Sequence, residues 1–79
     1  MNCMYILKCA DGTLYVGSTN DIEKRLHQHN NLKSGAHYTK IRRPVTLSYK
    51  EEFATLSEAK KREAAVKKLD RKSKLLLIS

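Results

Sequence analysis

Residues 3 to 17 read Cys3-Met4-Tyr5-Ile6-Leu7-Lys8-Cys9-Ala10-Asp11-Gly12-Thr13-Leu14-Tyr15-Val16-Gly17. Two runs of aliphatic, aromatic and β-branched residues flank Ala10-Asp11-Gly12, a turn signal, and the stretch is a β-hairpin. Its register has two solutions. A two-residue Asp-Gly turn pairs Ala10 with Thr13 and sends Tyr5 and Tyr15 to opposite faces, because strand side chains alternate. A three-residue loop, with Gly12 left-handed in a G1 bulge, pairs Cys9 with Thr13 and brings both tyrosines to one face. The turn residues suit either.

Beyond the hairpin, Thr19-Asn20-Asp21 supplies helix-capping residues, and Ile22 and Leu26 recur four apart in Asp21-Ile-Glu-Lys-Arg-Leu-His-Gln-His29. That spacing predicts a short amphipathic helix with Arg25 and His29 on its other face. Asn30 to Arg43 holds no sustained period and reads as a loop closed by Pro44. Val45 to Glu51 alternates as a third strand. Ser57 is the expected N-cap of a helix from about Glu58 to Leu69, with Leu56 as its staple. A short helix over Arg71 to Ile78 follows, behind Asp70 or Ser73. The order β-β-α-β-α-α implies an α+β fold, a three-stranded antiparallel sheet flanked by helices.

Seventy-nine residues make one domain, 1–79, whose thin core supports only a few kcal/mol of stability. Apolar runs such as Leu75 to Ile78 fall far short of the ~20 residues of a membrane span, and the N-terminus lacks a secretory pattern. An intracellular protein, cytoplasmic in a bacterium, is expected, with no membrane partner. Cys3 and Cys9 lie roughly 20 Å apart on an extended strand, too far for a disulfide. Neither has companions at zinc spacing, so reduced, buried thiols are expected.

The net charge of +8 is unevenly placed: residues 1–32 are neutral, whereas residues 33–79 carry thirteen bases against five acids. A polyanion is the natural partner, nucleic acid ahead of a membrane because no Trp- or Phe-bearing amphipathic helix accompanies the charge. Many small domains are basic for solubility alone, so charge by itself does not decide the function.

On the helix after Ser57, Glu63 lies about 40° from Ala59, on the inward side. A buried carboxylate needs a base or a cation beside it. Lys67, four residues on, is the ordinary partner. Lys60, Lys61, Lys67 and Lys68 share the opposite face within roughly 120° of arc, as a solvated face or a phosphate track. Taken singly, Arg25 pairs with Asp21, His29 favours a helix C-terminus, and strand tyrosines pack at a sheet surface.

Together these residues carry more. Met4-Tyr5-Ile6, Leu14-Tyr15-Val16-Gly17-Ser18-Thr19, Asp21-Ile-Glu-Lys-Arg25-Leu-His-Gln-His29 and Arg62-Glu63-Ala64 resemble, in order and spacing, the GIY-YIG nuclease family. The likeness covers nearly the whole chain. It is nearest to small stand-alone bacterial-type members, which share Lys8 to Tyr15, Glu51-Glu52-Phe53 and Ser57-Glu58-Ala59. The chain has Cys3-Met4-Tyr5 where the family name has Gly-Ile-Tyr, and Leu75 where many members carry an Asn.

The resemblance implies a DNA endonuclease of low sequence specificity, acting in repair or recombination, with Tyr5, Tyr15, Arg25 and His29 catalytic and Glu63 binding Mg²⁺ or Mn²⁺. Tyr5 would be a general base, its pKa pulled down by Arg25 or the metal. Tyr15 would position the water, Arg25 would clamp the phosphate, and His29 would support them or serve as an alternative base. These residues should surround one concave, basic site on a face of the sheet, which selects the three-residue hairpin loop. Gly17 would let phosphate approach closely. Lys40, Arg42, Arg43, Lys60, Lys61, Lys67 and Lys68 would contact the DNA backbone. The alternative is a basic nucleic-acid-binding module of the same fold without useful catalysis.

Overall fold

The structure, a computed structural model, describes residues 1–31 and 37–78. Its elements run β1 (Asn2–Cys9), β2 (Leu14–Thr19), α1 (Ile22–Asn31), α2 (His37–Lys40), β3 (Val45–Phe53), α3 (Leu56–Lys67) and α4 (Arg71–Ile78). The strands form one antiparallel sheet in the order β2-β1-β3. This is the α+β arrangement that the hydrophobic pattern predicts.

The hairpin closes with the three-residue loop. The Cys9 N–H donates to the Thr13 carbonyl and the Gly12 N–H to the Cys9 carbonyl, both at 2.9 Å. Gly12 adopts φ 85°, which side-chain-bearing residues rarely do. Tyr5 therefore pairs with Gly17 and Leu7 with Tyr15, so both tyrosines share a face.

β1 is the central strand, and its continuous apolar run fits burial on both faces. On one face Cys3, Tyr5, Leu7 and Cys9 pack with Val45, Tyr15 and the α1 residues Ile22 and Leu26. On the other, Met4, Ile6 and Val16 pack with Val66 of α3, Tyr49, Phe53, and Leu77 and Ile78 of α4. α1 and α3 thus cover opposite faces. Cys3 and Cys9 are buried free thiols.

Two local expectations, the loop and the α3 cap, are corrected, and two details, a bulge in β3 and the choice of α4 cap, are added. The segment expected to be a loop from Asn30 to Arg43 contains the end of α1 and the four-residue α2; residues 32–36 of it lie outside the described residues. α3 is capped by Thr55 rather than Ser57, because the Thr55 hydroxyl accepts from the Glu58 N–H at 3.2 Å and donates to its carboxylate at 3.0 Å. That N-cap begins the helix at Leu56, and the helix ends at Lys67, before Leu69. In β3 the register shifts between Ile6–Tyr49 and Leu7–Leu47. Ser48 is the extra residue, and this bulge turns Tyr49 to the α3 face while Val45 stays on the α1 face. For α4 the cap is Asp70, whose carboxylate accepts from the Ser73 N–H at 2.8 Å.

Candidate active site

Tyr5 projects from the middle of β1 and is 1 % exposed. Its phenol lies over Gly17 of β2. A Cβ at Gly17 would stand 2.5 Å from the Tyr5 hydroxyl oxygen and 2.6 Å from the ring carbon beneath it, far inside van der Waals contact. The missing side chain at Gly17 is thus filled by Tyr5. That corrects the expectation that it opens the sheet to phosphate.

The Tyr5 hydroxyl meets His29 Nε2 at 2.9 Å, and His29 Nδ1 meets the Thr39 hydroxyl at 2.7 Å. His29 and Thr39 are fully buried. The Arg25 guanidinium stands close enough to the Tyr5 hydroxyl to favour its ionised form, and a guanidinium only donates, so assigning the phenolic proton to His29 Nε2 satisfies both contacts. His29 then carries its proton on Nδ1 and donates to Thr39. By this donor–acceptor accounting, Tyr5, His29 and Thr39 form a hydrogen-bonded chain.

Burial pushes the Tyr5 pKa up to about 12, and the negative charge of Glu63 adds to the rise, so the opposing hydrogen bond from Arg25 does not prevail. The expected lowering by Arg25 is not what the surroundings produce. Burial, assisted by the charges of Arg25 and Arg43, lowers His29 to about 4. Near neutral pH both partners are uncharged.

Tyr15 packs at the centre of this group, its ring centroid 6.4 Å from Tyr5, 5.0 Å from His29 and 5.9 Å from Tyr38. Glu63 arrives from the other side. Ser18 alternates with Gly17 along β2 and so faces α3, where its hydroxyl donates to one Glu63 carboxylate oxygen at 2.6 Å. The other oxygen is paired with the Lys67 ammonium at 2.6 Å. The arrangement therefore wraps around the free edge of β2, with the tyrosines on one face and Glu63 on the other, rather than lying on a single face as expected.

The Glu63 side chain is only 19 % exposed, and no group of three or more His, Cys, Asp or Glu that could hold a metal ion occurs among the described residues. One carboxylate beside a hydroxyl fits a hard cation that keeps most of its water and takes further oxygens from a phosphate. It does not make a closed protein cage. The Lys67 side chain is 53 % exposed, so the ion pair lies at the surface.

The basic residues divide. Lys60, Lys61, Lys67 and Lys68 are all exposed along α3, and Lys40 is partly buried on α2. Arg42 and Arg43 are instead built into the fold. The Arg42 guanidinium contacts Asp11 and the Tyr38 carbonyl, both at 3.1 Å, and stacks 4.0 Å above the Tyr38 ring. Arg43 donates to the carbonyls of His29 and Gln28 at the end of α1. These internal contacts occupy part of each guanidinium. Ser18, Tyr38 and Thr39 escape the sequence reading. Strand alternation could have flagged Ser18; the other two sit in the segment read as loop.

The sequence profile of the GIY-YIG catalytic domain matches residues 1–75. The chain belongs to the GIY-YIG family. Among its relatives, this GIY-YIG chain is 59 % identical over 76 residues to a UPF0213 protein of Staphylococcus saprophyticus, covering 96 % of this chain and 92 % of that one. It is 56 % identical over 77 residues to a UPF0213 protein of Syntrophus aciditrophicus, covering 98 % and 88 %. The solution NMR structure of a UPF0213 protein from Bacillus halodurans superposes with a TM-score of 0.61 at 39 % identity, covering 99 % of this chain and 83 % of that one. Membership places the chain in a nuclease family, with nucleic acid as the implied substrate class. No helix among the described residues is long and apolar enough to cross a membrane.

Proposed function

We propose that this GIY-YIG domain is a divalent-cation-dependent DNA endonuclease that hydrolyses phosphodiester bonds with little sequence preference. The observation that carries the reading is the convergence of Arg25, the Tyr5–His29 pair, Tyr15 and Glu63 around the free edge of β2. Exposed lysines along α3 suit contacts to phosphates, which position a duplex without reading its bases. Such unselective cleavage suits repair or recombination.

Glu63, oriented by Ser18, would hold a hydrated Mg²⁺ or Mn²⁺. When bound, that ion supplies charge neutralisation at a phosphate oxygen and at the leaving 3′-oxygen. Arg25 binds the scissile phosphate through two parallel hydrogen bonds, a geometry that lysine lacks. Tyr15 orients the attacking water. Since Tyr5 has a pKa of about 12, its phenolate is scarce at neutral pH, and the base is better described as a relay. The water proton passes to the Tyr5 oxygen as the phenolic proton passes to His29 Nε2. Thr39 holds the Nδ1 proton in place. Pairing of phosphate with Arg25 cancels a charge that depresses His29, so substrate binding raises the basicity of the acceptor when it is needed.

One observation favours a second reading, a binding module without catalysis: both Glu63 oxygens already have partners, Ser18 and Lys67. Incubation with supercoiled plasmid in Mg²⁺ or Mn²⁺, alongside Tyr5→Phe, separates the two. The enzyme nicks the plasmid, and Tyr5→Phe is slower by ~10²-fold. Binding without cleavage in either cation selects the module.

A further inference from the structure

A second cleft lies at the hairpin end of β2, with a volume of about 210 Å³, lined by Thr13, Leu14, Tyr38, Arg71 and Lys74. We propose that it binds an unpaired nucleotide next to the scissile phosphate, so that the preferred DNA has single-stranded character at the cut. The inference rests on the nuclease reading above for the word scissile; the binding itself does not.

Tyr38 carries the argument. Its residue is 37 % exposed, unlike Tyr5, and it adjoins the candidate active site through Tyr15, ring centroids 5.9 Å apart and tilted by 36°. One ring face is covered by the Arg42 guanidinium at 4.0 Å. Arg42 is itself held by Asp11 and by the Tyr38 carbonyl, so the ring is anchored at the surface rather than loosely displayed. Across the cleft, Arg71 and Lys74 of α4 make no ion pair among the described residues. An anchored aromatic ring beside cations that no described carboxylate contacts directly is the combination that holds single strands, by base stacking and phosphate attraction. The cleft is smaller than the roughly 300–1,000 Å³ of drug-sized pockets, which suits one base.

Placement makes the choice between paired and unpaired DNA. Thr13, at the cleft, is two residues from Tyr15, ~7 Å along the strand. A DNA strand following the free edge of β2 would set one phosphate at Arg25 and the neighbouring base at Tyr38. In a duplex both faces of that base are already stacked within the helix, so only an unpaired base can reach the ring.

The test uses Glu63→Ala protein, in which binding is read without cleavage, and three 2-aminopurine-labelled DNAs: a single strand, a forked duplex and a blunt duplex. Tyr38→Leu should weaken single-strand and fork binding by about 5- to 100-fold and leave the blunt duplex within twofold. Tyr38→Phe, which keeps the ring, should bind like its parent. Arg71→Ala with Lys74→Ala should reduce the single-strand salt slope by ~0.7 for each lost contact. Since Tyr38→Leu also removes the surface beneath Arg42, a second measurement stands apart from it: 2-aminopurine in the single-strand and fork complexes should be quenched by stacking in the parent. Equal losses on all three DNAs, a Phe variant as weak as Leu, or no quenching overturns the proposal. Binding as expected by a protein that, with Glu63 intact, cleaves none of these DNAs would uphold the cleft and overturn the nuclease reading alone. Absence of DNA binding overturns both.

Discussion

Acidification puts the buried relay to a quantitative test. His29 is completely buried, and burial with the charges of Arg25 and Arg43 sets its pKa at about 4 in the folded protein, against 6.5 for the free side chain. Above pH 6.5 the imidazole is neutral in both folded and unfolded chains, and its contribution to stability is fully present. Between pH 6.5 and 4 the unfolded chain takes up a proton that the folded one refuses, so stability falls as pH falls. At 1.36 kcal/mol for each pKa unit the loss is roughly 3 kcal/mol, a large share of what so small a domain possesses. Urea unfolding of the parent and of His29→Gln at intervals from pH 7.5 to 4.5 measures it. Asp11, Glu51 and Asp70, whose carboxyls lie below their usual range, weaken both proteins alike at the acid end. The difference between the two curves therefore isolates His29. Parallel curves would refute the reasoning, because they would mean that His29 titrates freely in the folded state and is not the sealed acceptor of the Tyr5 proton.

Gly17→Ala places a methyl group against the Tyr5 phenol, at 2.5 Å from its oxygen; it should lower stability by about 1–3 kcal/mol and abolish cleavage, as read by urea unfolding and plasmid nicking. Lys67→Met removes the ammonium that occupies a Glu63 oxygen, so the Mg²⁺ concentration giving half-maximal cleavage should fall; an unchanged or higher requirement would show that Lys67 does not compete with the cation. Lys60→Ala, Lys61→Ala and Lys68→Ala should each flatten the log–log salt dependence of duplex binding by ~0.9, whereas salt-insensitive binding by the parent would remove α3 from the interface.

Much of the fold is legible because its elements are periodic. β1 and β2 announce themselves as apolar runs around a turn, and Ile22 and Leu26 mark α1 by their spacing. The hairpin register is not legible from the turn alone, since Asp11-Gly12 serves both loop lengths; the need for Tyr5 and Tyr15 to share a cavity selects the one observed. α2 spans four residues, too few to show a period, so Tyr38 and Thr39 pass as loop. The bulge at Ser48 leaves no mark in an alternating sequence, yet it decides which face Tyr49 covers.

The site shows the same division between residue identity and surroundings. Glu63 is predicted to face inward by helix geometry, and its ordinary partner Lys67 is present. What the sequence withholds is Ser18 as the second partner, 45 residues away in the chain. The positive charge of Arg42 and Arg43 is plain from composition. Its engagement is not, because the partners are backbone carbonyls and an aspartate 31 residues distant. Tyr5 is recognisable by its motif, but the direction of its pKa shift follows from burial, which only the packed structure fixes.

The central claim is that Glu63 serves chemistry rather than affinity, and cleavage measured beside binding for Glu63→Ala tests it most directly. With Mg²⁺ and protein in excess over plasmid, the parent should convert supercoiled DNA to nicked and linear forms, and Glu63→Ala should not. Its affinity for the same DNA should stay level or rise, because a negative charge has left a surface that meets phosphates. Thermal unfolding must show the variant folded at the assay temperature. A folded Glu63→Ala that cleaves as fast as the parent would contradict the account.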